Sequence, residues 1–149
     1  MSRPYYRKLG LLMTLTLFPA FAIAQSAPVT SEFVVQSTAP WQATGITVAA
    51  GTKVNIAAVG MWTANPASGM CGPQGTPQYI AKPGYTLPGA HEGALIGRVA
   101  SAIFMVGVGA EVPQGVSGPL ELCINDDLNG RYGAGLADNI GSVTVKVTH

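Results

Sequence analysis

"SVTVKV", residues 142–147, alternates apolar and polar side chains without interruption. Its three valines fall on one face of an extended segment, while Thr144 and Lys146 fall on the other, because successive side chains of a strand point to opposite sides. A strand of this kind has one side on a core and the other side in water. The segment therefore predicts a last β-strand that covers one face of a hydrophobic core.

Six further segments share this pattern and are rich in valine, isoleucine and threonine. Glycine, proline or asparagine separates them, as expected for short strands joined by turns. No window shows a useful helical period, and 19 glycines and 11 prolines would interrupt one. The segments are EFVVQS (32–37), GITVAAG (45–51), KVNIAAVG (53–60), ALIGRV (94–99), AIFMVG (102–107) and LELCIN (120–125). The pattern predicts an all-β fold, a small β-sandwich or jelly roll.

The N-terminal stretch has the features of a secretory signal peptide. Three basic residues precede an apolar run from Leu9 to Ala22, and Ala22-Ile23-Ala24 supplies the small-x-small cleavage pattern. A membrane anchor would need about 20 apolar residues, and this run is shorter and contains Pro19. We expect residues 1–24 to be a signal peptide, residues 25–149 to form a single domain, and the protein to be periplasmic or secreted to the cell surface.

Charge limits the classes of partner. Without residues 1–24, five basic and seven acidic residues leave a net charge of −2. Nucleic acids require a basic patch, so a weakly acidic domain argues against them. No other segment is apolar enough to span a membrane. A domain of about 125 residues has room for one hydrophobic core.

The chain contains two cysteines, Cys71 and Cys123. An even number in an exported protein favours one disulfide, which would hold the long irregular segment 64–92 beside the stretch that follows Cys123. Two buried free thiols are the alternative, since sequence does not show whether the two positions come within bonding range. A zinc site is disfavoured, because only His91 and His149 accompany the cysteines.

"NDDLNGRYGAGLADNIGS", residues 125–142, carries three of the seven acidic residues. Asp126, Asp127 and Asp138 lie among glycines and alanines, with Arg131 as the one basic residue. Carboxylates so close together repel one another unless a cation lies between them. Calcium accepts carboxylate, amide and carbonyl oxygens, and glycines let the chain turn its own carbonyls inward. The composition therefore indicates a calcium site.

From the residues alone, three arrangements of this stretch stay open. "NDDLNG" (125–130) matches the first positions of an EF-hand-like loop, but Leu136 stands where a bidentate glutamate belongs. Alternatively, Asp126 at the end of one strand meets the Asp138-Asn139 pair before the last strand, if the two strands are neighbours. The third arrangement is a solvated surface loop with acidic turn residues.

Four segments resemble, in order and rough spacing, the calcium-dependent galactose-binding lectins of the PA-IL (LecA) type. They are GMWTANP (60–66), CGPQG (71–75), GALIGRV (93–99) and LELCINDD…DNIGSVTVKV (120–147). The most specific element is the Asn-Asp pair that ends one strand, followed by an acid/amide pair and Gly-Ser at the start of the last strand. The likeness implies a lectin that binds galactose-type glycans through Ca²⁺.

The resemblance also implies which groups bind the ion. Asp126 ligates calcium and accepts a sugar hydroxyl. Asp138 stands where the family has an asparagine and has the same double role. The candidate ligands are the side chains of Asp126, Asp127, Asp138 and Asn139 and the backbone carbonyls of Asn65 and Arg131.

The resemblance further implies that two neighbouring hydroxyls of galactose bind the ion directly. The family's histidine and glutamine, which hold the primary hydroxyl of the sugar, have no direct counterpart, and TPQYIAKPGYTLPGAH (76–91) stands in their place. Besides Asp126 and Asp138, the candidate sugar-binding residues are Gln74, Tyr79, Tyr85 and His91. One such site binds weakly, so adhesion would require several sites on a homo-oligomer.

Catalysis has the least support. His91 is the only internal histidine with an acid beside it, and no Ser-His-Asp or Cys-His set stands out. A glycosidase pair needs one protonated carboxylic acid, whereas calcium would keep Asp126 and Asp138 ionised. We therefore expect a protein that is not an enzyme. The alternative to a lectin is a calcium-stabilised structural or adhesion β-sandwich without a sugar site.

Overall fold

The computed structural model describes Met1 and residues 27–149. The predicted signal peptide therefore lies, apart from Met1, outside the described residues. In the described part, no helix is long and apolar enough to cross a membrane.

Eight strands form two antiparallel sheets of four strands each. The strands are β1 (Thr30–Gln36), β2 (Gln42–Val48), β3 (Asn55–Thr63), β4 (Leu95–Val99), β5 (Ala102–Met105), β6 (Gly109–Glu111), β7 (Gly118–Ile124) and β8 (Ile140–Thr148). The first sheet has the order β1-β8-β3-β6, and the second has the order β2-β7-β4-β5. This architecture confirms the predicted all-β sandwich.

Strand β8 occupies the centre of the first sheet, between β1 and β3. Its valines, Val143, Val145 and Val147, are completely buried, as the alternation in the sequence predicts. Val35 of β1 lies opposite Val143, and Ala58 of β3 lies opposite Val145, so the neighbouring strands add apolar side chains to the same face. Each fully buried valine or leucine contributes roughly 1.5–3 kcal/mol by removing apolar area from water.

The second sheet provides the other half of the core. Leu120, Leu122 and Ile124 of β7 alternate on its inner face and are fully buried. Leu95 and Val99 of β4 lie opposite Ile124 and Leu120 in the antiparallel ladder. The two sheets therefore pack their apolar faces together, and the loops at one end of the sandwich are free to form a site.

The predicted disulfide between Cys71 and Cys123 is wrong, because the structure contains both as separate, buried free thiols. The backbone of Cys71 pairs in antiparallel fashion with that of Trp62 in β3. Alternation along β7 turns Cys123 to the face opposite Leu122, and its sulfur lies 4.0 Å from the carbonyl oxygen of Ala39. Burial raises the pKa of both thiols, for Cys123 to about 12, so neither is a reactive thiolate at neutral pH.

Candidate functional site

The acidic loop begins where β7 ends, at Asn125, whose side chain is fully buried. This side chain accepts a hydrogen bond from the backbone N–H of Leu87 at 2.8 Å. It also donates to the carbonyls of Leu87 and His91, both at 3.0 Å. The carbonyl of Asp126 accepts from both the N–H and the hydroxyl of Thr86. These bonds attach the segment 85–92 to the start of the acidic loop.

A cleft of about 240 Å³ opens between these two segments and the loop after β3. Most of its wall consists of polar or aromatic side chains. The remainder is Ala64 after β3 and residues 133–135 of the acidic loop. The side chains that matter chemically are those of Tyr79, Lys82, Tyr85, Glu92, Asp126, Asp127, Tyr132 and Asp138. The two halves of the predicted acidic site, around Asp126 and around Asp138, therefore meet in one cleft.

Asp126 and Asn139 form the buried floor of this acidic site and are 3% and 5% exposed. One carboxylate oxygen of Asp126 accepts the side-chain amide of Asn139 at 2.9 Å, and the other accepts the N–H of Asp127 at 2.6 Å. Burial, followed by repulsion from Glu92 and Asp138, raises the pKa of Asp126 to about 6, although the two hydrogen bonds lower it. The protein therefore holds a carboxylate in a place where it is electrostatically unfavourable.

Asn139 leaves one polar atom unsatisfied. Its amide nitrogen donates to both the carbonyl of Ser37 at 3.0 Å and the carboxylate of Asp126. Both partners are acceptors, so they fix which end of the amide is Nδ2 and which end is Oδ1. That oxygen is buried and has no hydrogen-bond partner. An orphaned acceptor beside a buried carboxylate fits a cation such as calcium, which binds oxygen.

Asp138 ends the 3₁₀ turn Gly135–Asp138, directly before Asn139. Its side chain is exposed and lines the cleft. The turn comes close to the start of the loop because Gly135 adopts a φ of +58°, where a β-carbon would lie 2.7 Å from the carbonyl oxygen of Asp127. A glycine at this position therefore lets the two ends of the acidic loop meet.

Asp127 also lines the cleft, but its carboxylate has local partners. One oxygen accepts the N–H of Asn129 at 3.2 Å, and the other accepts the N–H of Tyr132 at 2.5 Å. These bonds fold residues 127–132 into a compact turn, as aspartate side chains commonly do. The carboxylate of Asp127 therefore stabilises the conformation of the acidic loop.

The two predicted carbonyl ligands differ in position. Asn65 lines the cleft, but its carbonyl already accepts the hydroxyl of Thr63 at 2.8 Å and the N–H of Ser68 at 2.9 Å. These two bonds occupy both lone pairs of that oxygen. Arg131 is not part of the cleft wall, whereas the next residues, Tyr132 and Gly133, are.

No three His, Cys, Asp or Glu side chains converge on one metal position in the part of the chain that the structure describes. The carboxylates of Asp126 and Asp138 line the acidic end of the cleft, and the buried Asn139, whose amide donates to Asp126, adjoins it without being part of the wall. Calcium accepts amide and backbone oxygens as readily as carboxylates, so such a mixed donor set suits it better than it suits zinc.

Tyrosines form the other wall of the cleft. Tyr85 is buried, with the ring of Tyr132 stacked at 5.8 Å and the ring of Tyr79 tilted at 6.2 Å. Tyr85 therefore presents little free ring surface, and its hydroxyl donates to Glu92 at 2.8 Å. Tyr132 is 44% exposed, and the part of its ring that Tyr85, Lys82 and Arg131 leave uncovered is accessible. The ammonium of Lys82 lies 5.4 Å from the ring centre of Tyr79.

Glu92 is a cleft residue that the sequence analysis missed as a binding residue. It is 6% exposed, whereas its neighbour His91 is half-buried and places Nδ1 3.2 Å from the carbonyl oxygen of Gln74. His91 and Gln74 do not line the cleft. Strand-like alternation at 91–92 turns one side chain inward and the other outward, and this signal was available in the sequence.

Comparison with solved structures shows a related fold. The N-terminal domain of EclA, described as a PllA-like lectin, matches with a TM-score of 0.60 and 24% sequence identity. The match covers 78% of this chain and 92% of that domain. No protein-family model and no curated protein matches the chain. At this level of identity the match shows that the two chains share a β-sandwich fold.

Proposed function

We propose that this protein is a calcium-dependent carbohydrate-binding module that binds galactose-type sugars at the cleft between the acidic loop and the segment 85–92. The observation that carries the proposal is the buried, unpartnered amide oxygen of Asn139 beside Asp126. A fold that only needed a stable loop would gain about 1–3 kcal/mol by giving this oxygen a donor. Coordination of a cation by this oxygen would account for the missing donor.

Asp126, Asp138 and Asn139 would hold the calcium ion with their side-chain oxygens, together with backbone carbonyls of the surrounding loops. A bound calcium ion would supply two positive charges and free coordination positions that sugar hydroxyls can occupy. Asp126 and Asp138 would also accept hydrogen bonds from the same hydroxyls, and a charged acceptor makes such bonds stronger. Tyr132 would pack against the apolar side of the sugar ring.

Two further observations support a carbohydrate ligand. The cleft is small and largely polar, as expected for a monosaccharide rather than a hydrophobic cofactor. The domain also shares its fold with the PllA-like lectin domain of EclA. A protein of this kind performs no chemical step on its ligand, and the proposal includes the export predicted from residues 1–24 and the assembly into a homo-oligomer that would raise the avidity of weak sites.

The proposal is tested by titrating galactose, mannose and fucose into the calcium-loaded protein by calorimetry. We expect galactose to bind with a Kd of about 10⁻⁴ M and to lose all measurable binding when a chelator removes calcium. Asp138→Ala should abolish binding without loss of the fold, because this side chain is exposed. Glu32→Ala removes a carboxylate from a surface ion pair on β1 and serves as the matched control.

Binding of galactose that persists without calcium, or that survives Asp138→Ala, would contradict the proposed mechanism. If calcium stabilises the protein but a broad glycan array gives no signal, the structural or adhesion module is the correct alternative.

A further inference from the structure

We infer that the sugar bound by this cleft carries an anionic group, a carboxylate or a sulfate ester, which Lys82 and Arg131 recognise at the mouth of the cleft. The inference rests on the proposed function and specifies its ligand class. Residues 27–149 contain five basic side chains.

Three of these five side chains have a carboxylate partner. Their ion pairs are Lys53–Glu111, Arg98–Glu121 and Lys146–Glu32, at 3.5, 2.6 and 3.5 Å. Within the described residues, Lys82 and Arg131 have no such partner. Lys82 and Arg131 lie beside the cleft. Of the paired side chains, Arg98 and Lys146 lie on strands and Lys53 lies just before β3.

Both unpaired cations lie over one tyrosine. The ammonium of Lys82 is 5.8 Å from the ring centre of Tyr132, and the guanidinium of Arg131 is 5.3 Å from it. The backbone is shaped for this packing, because Gly84 has a φ of +114° and a β-carbon there would lie 3.1 Å from the Tyr132 ring and 3.4 Å from Arg131. The hydroxyl of Tyr132 also donates to the carbonyl of Pro83 at 2.6 Å. The two charges are thus held by a specific arrangement rather than scattered over a surface.

Lys82 is fully protonated when a ligand arrives. A hydrogen bond with Tyr79, followed by the charge interaction with the same side chain, raises the pKa of the ammonium. A solvated ammonium and a guanidinium offer donors in the arrangement that carboxylate and sulfate oxygens accept. A neutral hydroxyl would leave both charges without a counter-ion.

Charge balance in the cleft explains why such a ligand also requires calcium. Asp126, Asp127, Asp138 and Glu92 place four carboxylates in the wall, so an anion is repelled from the empty cleft. A divalent cation at the acidic end offsets part of this repulsion and leaves the two basic side chains to attract the anion. The acidic sugar should therefore depend on calcium at least as strongly as the neutral sugar does.

The test compares three ligands of the same stereochemistry by calorimetry in the presence of excess calcium. They are methyl galactoside, the corresponding methyl galacturonide, and methyl galactoside 6-sulfate, and each is also titrated into calcium without protein to subtract chelation in solution. We expect the two acidic sugars to bind about fivefold more tightly than the neutral sugar, and the advantage to fall at about 500 mM sodium chloride. The carboxylate and sulfate arms show which anion the site prefers.

Variants of Lys82 and Arg131 test whether these residues cause the preference for acidic sugars. Lys82→Gln and Arg131→Gln, alone and together, should reduce the ratio of acidic to neutral affinity towards one. Lys53→Gln removes a distant lysine and should leave the ratio at its wild-type value. Neutral galactoside that binds as tightly as the acidic sugars, or a ratio that survives the double variant, overturns the inference while the calcium-dependent lectin stands. If no galactoside binds in calcium, both proposals fail.

Discussion

The last residues of β7 and the three residues that follow them are equally buried but are stabilised in different ways. Leu122 and Ile124 lose contact with water by packing against the opposite sheet. Asn125 and Asp126 are nearly as inaccessible, but hydrogen bonds hold their side chains. Those of Asn125 go to the segment 85–92, and those of Asp126 stay within the acidic loop. The apolar half of this segment, Leu122 and Ile124, makes all its contacts within the hydrophobic core. The polar half, Asn125 and Asp126, has hydrogen-bond partners, but Asn139, which donates to Asp126, keeps a buried amide oxygen without a partner.

The largest effect should come from the apolar half. Leu122→Ala removes a completely buried side chain from the inner face of β7. We expect the free energy of unfolding to fall by about 2–5 kcal/mol, because lost apolar contact and the remaining cavity add together. Urea denaturation should give the same loss with calcium and with chelator. A loss that depends on calcium would mean that the core and the cleft are not independent.

Calcium should act on the polar half alone. An ion that binds only the folded protein stabilises it by about 2.7 kcal/mol when its free concentration is one hundred times its Kd. Calcium should therefore raise the Tm, and magnesium at the same concentration should raise it less, because magnesium requires a stricter geometry. An identical Tm in calcium and in chelator would remove the basis for a metal at Asn139.

The variant Asn125→Ala tests the hydrogen bonds that attach the segment 85–92 to the acidic loop. Asn125→Ala leaves the backbone groups of Leu87 and His91 without their buried partner. We expect a loss of about 1–3 kcal/mol in the free energy of unfolding, measured by denaturation in calcium. Asn55→Ala, on the exposed side of β3, is the matched control and should change little. Equal losses in the two variants would show that the bonds of Asn125 contribute nothing.

The smallest effect concerns the aromatic wall. Tyr132→Ala removes the exposed ring that we place against the sugar. An aromatic contact of this type contributes about 0.5–1.5 kcal/mol, so affinity for galactose should fall by about two- to tenfold. Calcium affinity, followed by the Tm, should stay close to that of the wild type. Galactose affinity that is unchanged in this variant would place the sugar elsewhere in the cleft.

Much of the fold was predictable because its strands alternate regularly. Segments such as 142–147 and 120–125 have a clear inner and outer face, and the structure contains β8 and β7 at these places. The short strand β6 (Gly109–Glu111) was missed, since three residues carry no detectable period. The disulfide between Cys71 and Cys123 was wrongly predicted because cysteine number and compartment do not reveal that the two side chains lie in different surroundings.

The site residues were predictable where residue type and local sequence indicate them. They were not predictable where their positions depend on contacts between segments distant in the sequence. Asp126 and Asp138 stand out as carboxylates in a glycine-rich stretch, and the structure brings them to one cleft. Alternation at 91–92 predicts that one of the two side chains points inward, but the sequence does not show that this is Glu92 or that it faces the acidic loop. Gln74 was selected by resemblance, and its position in a different groove follows from backbone pairing with Ala94.

The proposed calcium ion occupies the position faced by the Asn139 amide oxygen. NMR of the ¹⁵N-labelled protein reports on this directly, through the side-chain amide signal of Asn139 during a calcium titration. We predict a saturable shift of this signal, a weaker response in Asp138→Ala, and a further shift when galactose is added in calcium. An Asn139 signal that does not move while calcium binds elsewhere, or that moves equally in Asp138→Ala, would contradict the account.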